Sequence, residues 1–134
     1  MPRDARFSTP AVDAESDAVT ALLADGYMRL YSAPRPVTAD DPPDDAQLIA
    51  EFRLGSPAFG PSAGGIAPAL AVADVTTLTA GNVTWFRTLR SDGITAVFDG
   101  NAGTTDQNLV MSNTNLAMGA LVSVVGFQYR SPRT

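Results

Sequence analysis

The chain has 134 residues, a net charge of −5, no Cys, no His and no Lys; all nine basic residues are Arg. Without Cys there are no disulfides, thiolate metal sites or Cys nucleophiles. Without His and Lys the usual proton-transfer and amine chemistry cannot be built, which leaves only carboxylate pairs. The length fits one domain that buries roughly two thirds of its unfolded surface. Charge is uneven: ten acids face four Arg in residues 1–51, and four acids face five Arg in residues 52–134. With no basic cluster, no nucleic-acid partner is expected. No apolar run approaches the roughly 20 residues of a membrane span, so no membrane partner is expected either. Met1-Pro2-Arg3-Asp4 leads into a polar stretch rather than a secretory signal.

Residues 1–9 read as an extended arm with Arg3, Arg6 and one large apolar residue, Phe7. A helix is predicted over 10–25, with Thr9 as N-cap and Pro10 at its first position. Asp13, Glu15 and Asp17 suit the positive end of its dipole. Val12, Val19, Leu22 and Leu23 make its apolar stripe, and Gly26 is the expected left-handed cap. From Tyr27 the pattern turns to period two: Tyr27, Arg29 and Tyr31 face one way, Met28 and Leu30 the other. A Pro- and Asp-rich loop spans 33–46. A second strand follows, in which Leu48, Ala50, Phe52 and Leu54 alternate with Ile49, Glu51 and Arg53. A Gly/Pro/Ser/Ala stretch covers 55–65, and short strands are predicted within 66–79.

The strand 82–90 alternates Val83, Trp85, Arg87 and Leu89 with Thr84, Phe86 and Thr88. Ser91-Asp92-Gly93 is a tight turn, and 94–98 returns as a hairpin. A short strand at 108–111 and a long one at 120–129 complete the chain, with Arg130–Thr134 as a tail. Short, turn-punctuated strands predict a mainly β fold, a β-sandwich or partly open barrel with one N-terminal α-helix.

Asp40-Asp41-Pro42-Pro43-Asp44-Asp45 has the oxygen-rich composition of a Ca²⁺ loop but not the EF-hand spacing, so it reads as a solvated acidic loop. Asn82-Val83-Thr84 matches a glycosylation sequon inside a strand. Gly64-Gly65 and Ala102-Gly103-Thr104 lack the helix and Lys of a phosphate cradle and read as turns. No metal or cofactor is expected. Trp85, Phe86, Tyr27 and Tyr31 read as core and cross-strand packing. Arg29 and Arg87, in mid-strand, are costly to bury unpaired and are expected to be paired or exposed, an inter-subunit ion pair being the sharper alternative.

The order of these pieces resembles a group of small virion proteins of tailed bacteriophages. The resemblance is carried by Tyr27-Met28-Arg29-Leu30-Tyr31-Ser32, Leu48-Ile49-Ala50-Glu51-Phe52, Pro57-Ala58-Phe59-Gly60, Trp85-Phe86-Arg87, Phe98-Asp99-Gly100 and Asn108-Leu109-Val110-Met111. It covers the chain from about residue 12. It implies a non-enzymatic structural role, with a capsid cement or decoration protein as the first expectation. Such a protein would bind the major capsid protein and itself, a trimer at a symmetry axis being one form of homo-oligomer. Its place would be the capsid surface of the virion, after assembly in the host cytoplasm. The contacts expected are Arg3, Arg6 and Phe7 from the arm, Pro34, Arg35 and Pro36 from the loop, and Arg130 and Arg133 from the tail.

Two other functions fit the same composition. One is a tail, neck or baseplate component. The other is a carbohydrate-binding module or carboxylate hydrolase, using Trp85 or a tyrosine as a sugar platform and Asp92 with Asp99 as the acid pair. Those two acids are predicted at opposite ends of a hairpin strand, about 20 Å apart at the usual strand rise. That is too far for the roughly 5–9.5 Å between paired glycosidase carboxyls.

Overall fold

A computed structural model describes residues 7–105 and 107–130. Its helix, α1 (Thr9–Ala21), is capped by Ser8 rather than Thr9: the Ser8 hydroxyl accepts from the Ala11 N–H at 3.4 Å. Thr9 therefore belongs to the helix and not to the arm. The helix also stops short of residue 25, because residues 22–25 form a turn. Asp25 takes the left-handed backbone conformation (φ 58°), which short polar side chains tolerate. Gly26, the expected left-handed cap, meets a different need. A Cβ there would lie 2.3 Å from the Leu89 carbonyl oxygen and 2.9 Å from that of Leu23. Of the predicted apolar stripe, Val12 and Leu23 are fully buried and Val19 packs partly on the core, while Leu22 faces solvent.

The strands are β1 (Tyr27–Tyr31), β2 (Leu48–Arg53), β3 (Ile66–Pro68), β4 (Val75–Thr76), β5 (Gly81–Asn82), β6 (Trp85–Leu89), β7 (Ala96–Gly103), β8 (Leu109–Met111), β9 (Asn115–Leu116), β10 (Leu121–Val122) and β11 (Val124–Arg130). Seven of them form one open sheet in the order β2-β1-β6-β7-β8-β11-β3; β4 with β10, and β5 with β9, form two small ribbons. Every pairing in the large sheet is antiparallel except β7 with β8. The fold is thus mainly β with one N-terminal helix, as expected, and no barrel closes. Three strand limits differ from the sequence reading: the strand expected over 82–90 divides into β5, which pairs with β9, and β6, which begins at Trp85. The return strand starts at Ala96 and runs through Gly100 to Gly103, and the last strand breaks at Ser123 into β10 and β11.

The sheet curls, and its aromatic residues show by how much. Phe86 on β6 and Phe127 on β11 lie three strand spacings apart, which in a flat sheet is roughly 14 Å. Their ring centroids are 5.1 Å apart. Sheet twist brings them together, and Gly100 on the intervening β7 leaves the space: a Cβ there would lie 2.8 Å from Phe86 Cζ. Phe98 and Tyr129 extend this cluster, with ring centroids 4.9 Å apart. Met28, Leu30, Phe52, Leu109 and Met111 fill the rest of the concave side.

The helix packs on β3 and β11. Its acids reach outward to the glycine-rich stretch. Asp13 Oδ1 accepts from Ser62 Oγ at 3.0 Å and from the Gly65 N–H at 2.8 Å, and Asp17 Oδ1 accepts from the Ser62 N–H at 2.8 Å. These bonds hold residues 62–65 beside the edge strand β3, which bridges at Phe59–Ala69 and Ala63–Ile66 cover further.

Candidate functional site

The convex face of β1, β2, β6 and β7 is where alternation puts the charged residues. Register sets Arg29 opposite both Glu51 and Arg87, and Arg87 opposite Asp99. Adjacent guanidinium groups repel, so each needs its own acid. Arg29 Nε pairs with Glu51 Oε2 at 2.6 Å; Arg87 pairs with Asp99 at 3.3 Å. Burial works against the Arg29 charge, but the bond to Glu51 and its negative charge outweigh it, and the Arg29 pKa is raised.

Arg87 is only 3% exposed. One acid cannot satisfy a buried guanidinium with five N–H donors, and the acidic loop supplies two further acceptors. Arg87 donates to the carbonyl oxygens of Asp41 and Thr38, the latter at 3.1 Å. Arg35 closes the ring: it pairs with the other Asp99 oxygen at 3.3 Å and donates to Asn101 Oδ1 at 2.9 Å. The backbone of the 33–46 loop is therefore tied to the sheet, while Asp40, Asp41, Asp44 and Asp45 remain exposed, as a solvated acidic loop requires. Its own carboxylates are used locally, Asp41 accepting from the Thr38 N–H and Asp44 from the Ala46 N–H. Among the described residues no three acids gather as a metal cage requires. Between loop and sheet lies an open cavity of about 450 Å³, bordered by Arg29, Asp41, Pro43, Arg87 and Ile94.

Trp85 is 1% exposed and stacks on Tyr31 with centroids 4.4 Å apart. Its indole N–H donates to the Ser32 carbonyl at 2.9 Å, and the Arg87 guanidinium lies over its ring. A buried indole cannot serve as a sugar platform, so that expectation is corrected. Tyr31 is buried as well, and burial pushes its phenol pKa up.

The proposed acid pair is similarly committed. Asp99 lies mid-strand with both oxygens in ion pairs, not in a turn at the strand end. Asp92 accepts from the Thr95 hydroxyl at 2.6 Å and from the N–H groups of Thr95 and Ile94 at 2.9 and 2.8 Å. These bonds, the Thr95 hydroxyl first, lower its pKa to about 2. A depressed carboxyl stabilises the fold fully above its unfolded value of 3.8, and that support is lost as pH falls through about 2. A titration by NMR should place the Asp92 carboxyl near that low value. In Asp92→Asn, stability should fall less steeply in acid than in the parent chain; an identical acid limb would refute the bonding described.

The expected contact residues scatter. Phe7 is 60% exposed beside the helix cap. Pro34 is exposed and Pro36 half-buried, while Arg35 is tied into the Asp99 cluster. Arg130 is exposed at the end of β11. Arg3, Arg6 and Arg133 lie outside the described residues. Sequence reasoning missed three exposed apolar residues in the β4–β10 ribbon and the turns that flank it. Leu78, Met118 and Leu121 are 57%, 71% and 65% exposed there. They are brought together by the Thr77 N–H donating to Ala120 at 2.9 Å and the Thr77 hydroxyl to Ala117 at 2.6 Å. The signal was present: residues 70–79 and 112–123 hold large apolar side chains and a single charge, Asp74.

No family model matches the chain, and no curated protein or solved structure gives a significant match.

Proposed function

We propose that this chain is a structural protein of a tailed-phage particle, a cement or decoration protein that binds the major capsid protein and assembles with copies of itself. The observation that carries this reading is the exposure of three apolar side chains in and beside the β4–β10 ribbon: Leu121 on β10, Leu78 just after β4 and Met118 in the turn before β10. Exposed apolar groups of this kind mark protein–protein contact surfaces. Cementing needs area and shape complementarity rather than reactive groups, and the β-rich resemblance noted above points the same way. Attachment through an apolar ribbon also explains why the polar loop over 33–46 can be spent on internal structure.

The test is occupancy on particles. Shells assembled with Leu78→Asp/Leu121→Asp should carry at least about tenfold less protein than shells with the parent chain, while the far-UV spectrum stays unchanged. Shells lacking the protein should lose heat resistance. Hundreds of copies per particle support a shell protein; a single ring points to the tail or neck instead. Full occupancy by the double variant would overturn the assigned surface.

A further inference from the structure

The convex side of β7, β8 and β11 carries a feature unrelated to the ribbon. An open groove of about 640 Å³ runs there, lined by Asn101, Gln107, Asn108, Val110, Gly126 and Gln128, with Arg130 at its end. Strand alternation builds it. Leu109 and Met111 on β8, and Phe127 and Tyr129 on β11, point into the core, so Val110, Gly126 and Gln128 point out.

Register then arranges these positions in two rows. Val110 lies opposite Gly103 on one side and Gly126 on the other. That row is a trough with bare backbone on the Gly126 flank, while the Gln107 side chain lies over Gly103 and forms its other wall. The neighbouring row holds the carboxamides of Asn101, which precedes Ala102, the partner of Leu109, and of Gln128, whose N–H donates to the Asn108 carbonyl at 3.2 Å; Asn108 borders the groove between them with its Oδ1 turned toward Gly100. The side-chain amides of Gln107, Asn108 and Gln128 make no protein hydrogen bond among the described residues. Asn101 accepts from Arg35 through Oδ1 and keeps its NH₂ for another partner.

We propose that this groove binds a saccharide. A carboxamide offers an acceptor and two donors side by side, the pattern that adjacent sugar hydroxyls, each both donor and acceptor, can match. The trough admits the flat C–H face of a pyranose ring against Val110. A peptide strand fits less well. Within the groove the backbone of β8 is paired on both sides, so no sheet edge is open for strand addition. This site stands apart from the shell-binding surface, and either can fail without the other.

The test uses the full chain, isotope-labelled for NMR, with maltohexaose and an oligogalacturonate as probes at millimolar concentration. The side-chain NH₂ resonances of Asn101, Asn108 and Gln128 should shift saturably with at least one of them. Gly126→Leu should fill the trough, and Gln128→Ala should remove a donor. Each should weaken the response by at least about tenfold. A Cβ at Gly126 meets nothing within 4 Å, so the first variant should fold. Unmoved carboxamide resonances with both saccharides overturn the proposal. So does a response that survives Gly126→Leu, or one given only by a Ser/Gly peptide.

Discussion

Replacing Arg87 with Met should destabilise the protein by about 3 kcal/mol and open the 33–46 loop to proteolysis. Breaking a buried ion pair by removing one partner costs about 3–5 kcal/mol. Two features place this case at the lower end. Asp99 keeps Arg35 as a partner, and Arg87 Nε is buried with no acceptor among the described residues, so part of the cost of burying the guanidinium is already uncompensated. Loop release follows because Arg87 binds the carbonyls of both Thr38 and Asp41. Lys at this position carries a single point of charge on a flexible stem and cannot span three acceptors in a fixed fork. Arg87→Lys should therefore lose most of the same stability. Urea midpoints and thermolysin cleavage of the loop measure the two effects separately. An unchanged midpoint with an intact loop in Arg87→Met would remove the clamp from the account.

The second large effect is expected at Gly26. Gly26→Ala should cost about 3 kcal/mol, the upper range for overpacking, and lower the melting temperature by roughly 10 °C. The atoms that an added methyl would meet are backbone carbonyl oxygens of Leu89 and Leu23, not side-chain ends that can rotate away. Movement of the Gly26 backbone is also resisted. Its N–H donates to Leu23 and its carbonyl accepts from the Leu54 N–H, both at 2.8 Å. One residue thus ties the turn after the helix to the ends of β2 and β6. Gly126→Ala is the control, since nothing lies within 4 Å of a Cβ there; its effect should stay within about 0.5 kcal/mol. Equal melting temperatures for the two variants would contradict the close approach at Gly26.

The sequence reading worked where pattern and neighbourhood agreed. The alternation in 27–31 and 82–90 located β1 and β6 by the change of residue kind from one face to the other, although β6 is buried on both faces. The expectation that Arg29 and Arg87 be paired or exposed followed from the cost of burying charge, and both partners lie within the chain. What could not be read depended on strands distant in sequence. Nothing local to Gly100 signals that Phe86 must pass over it to reach Phe127. Nothing local to Thr38 or Asp41 shows that their carbonyls will bind a guanidinium 49 and 46 residues away. The carboxamide row needs the parallel pairing of β7 with β8, which period-two patterns do not specify. Gly26 was recognised as necessary for the wrong reason: the turn takes its left-handed residue one position earlier, at Asp25.

The placement of α1 on β3 and β11 has a consequence for the order in which the molecule is made. The helix emerges early in synthesis, yet the surface it covers includes a strand whose Tyr129 donates its hydroxyl to Glu15, 114 residues upstream. Contacts of such long sequence separation are slow to form and are bought with loop-closure entropy. The β1–β2 pair, and β6 with β7, can fold on the ribosome as soon as they appear. The helix cannot complete its packing until both β3 and β11 have been made, so it docks late in the folding of this core.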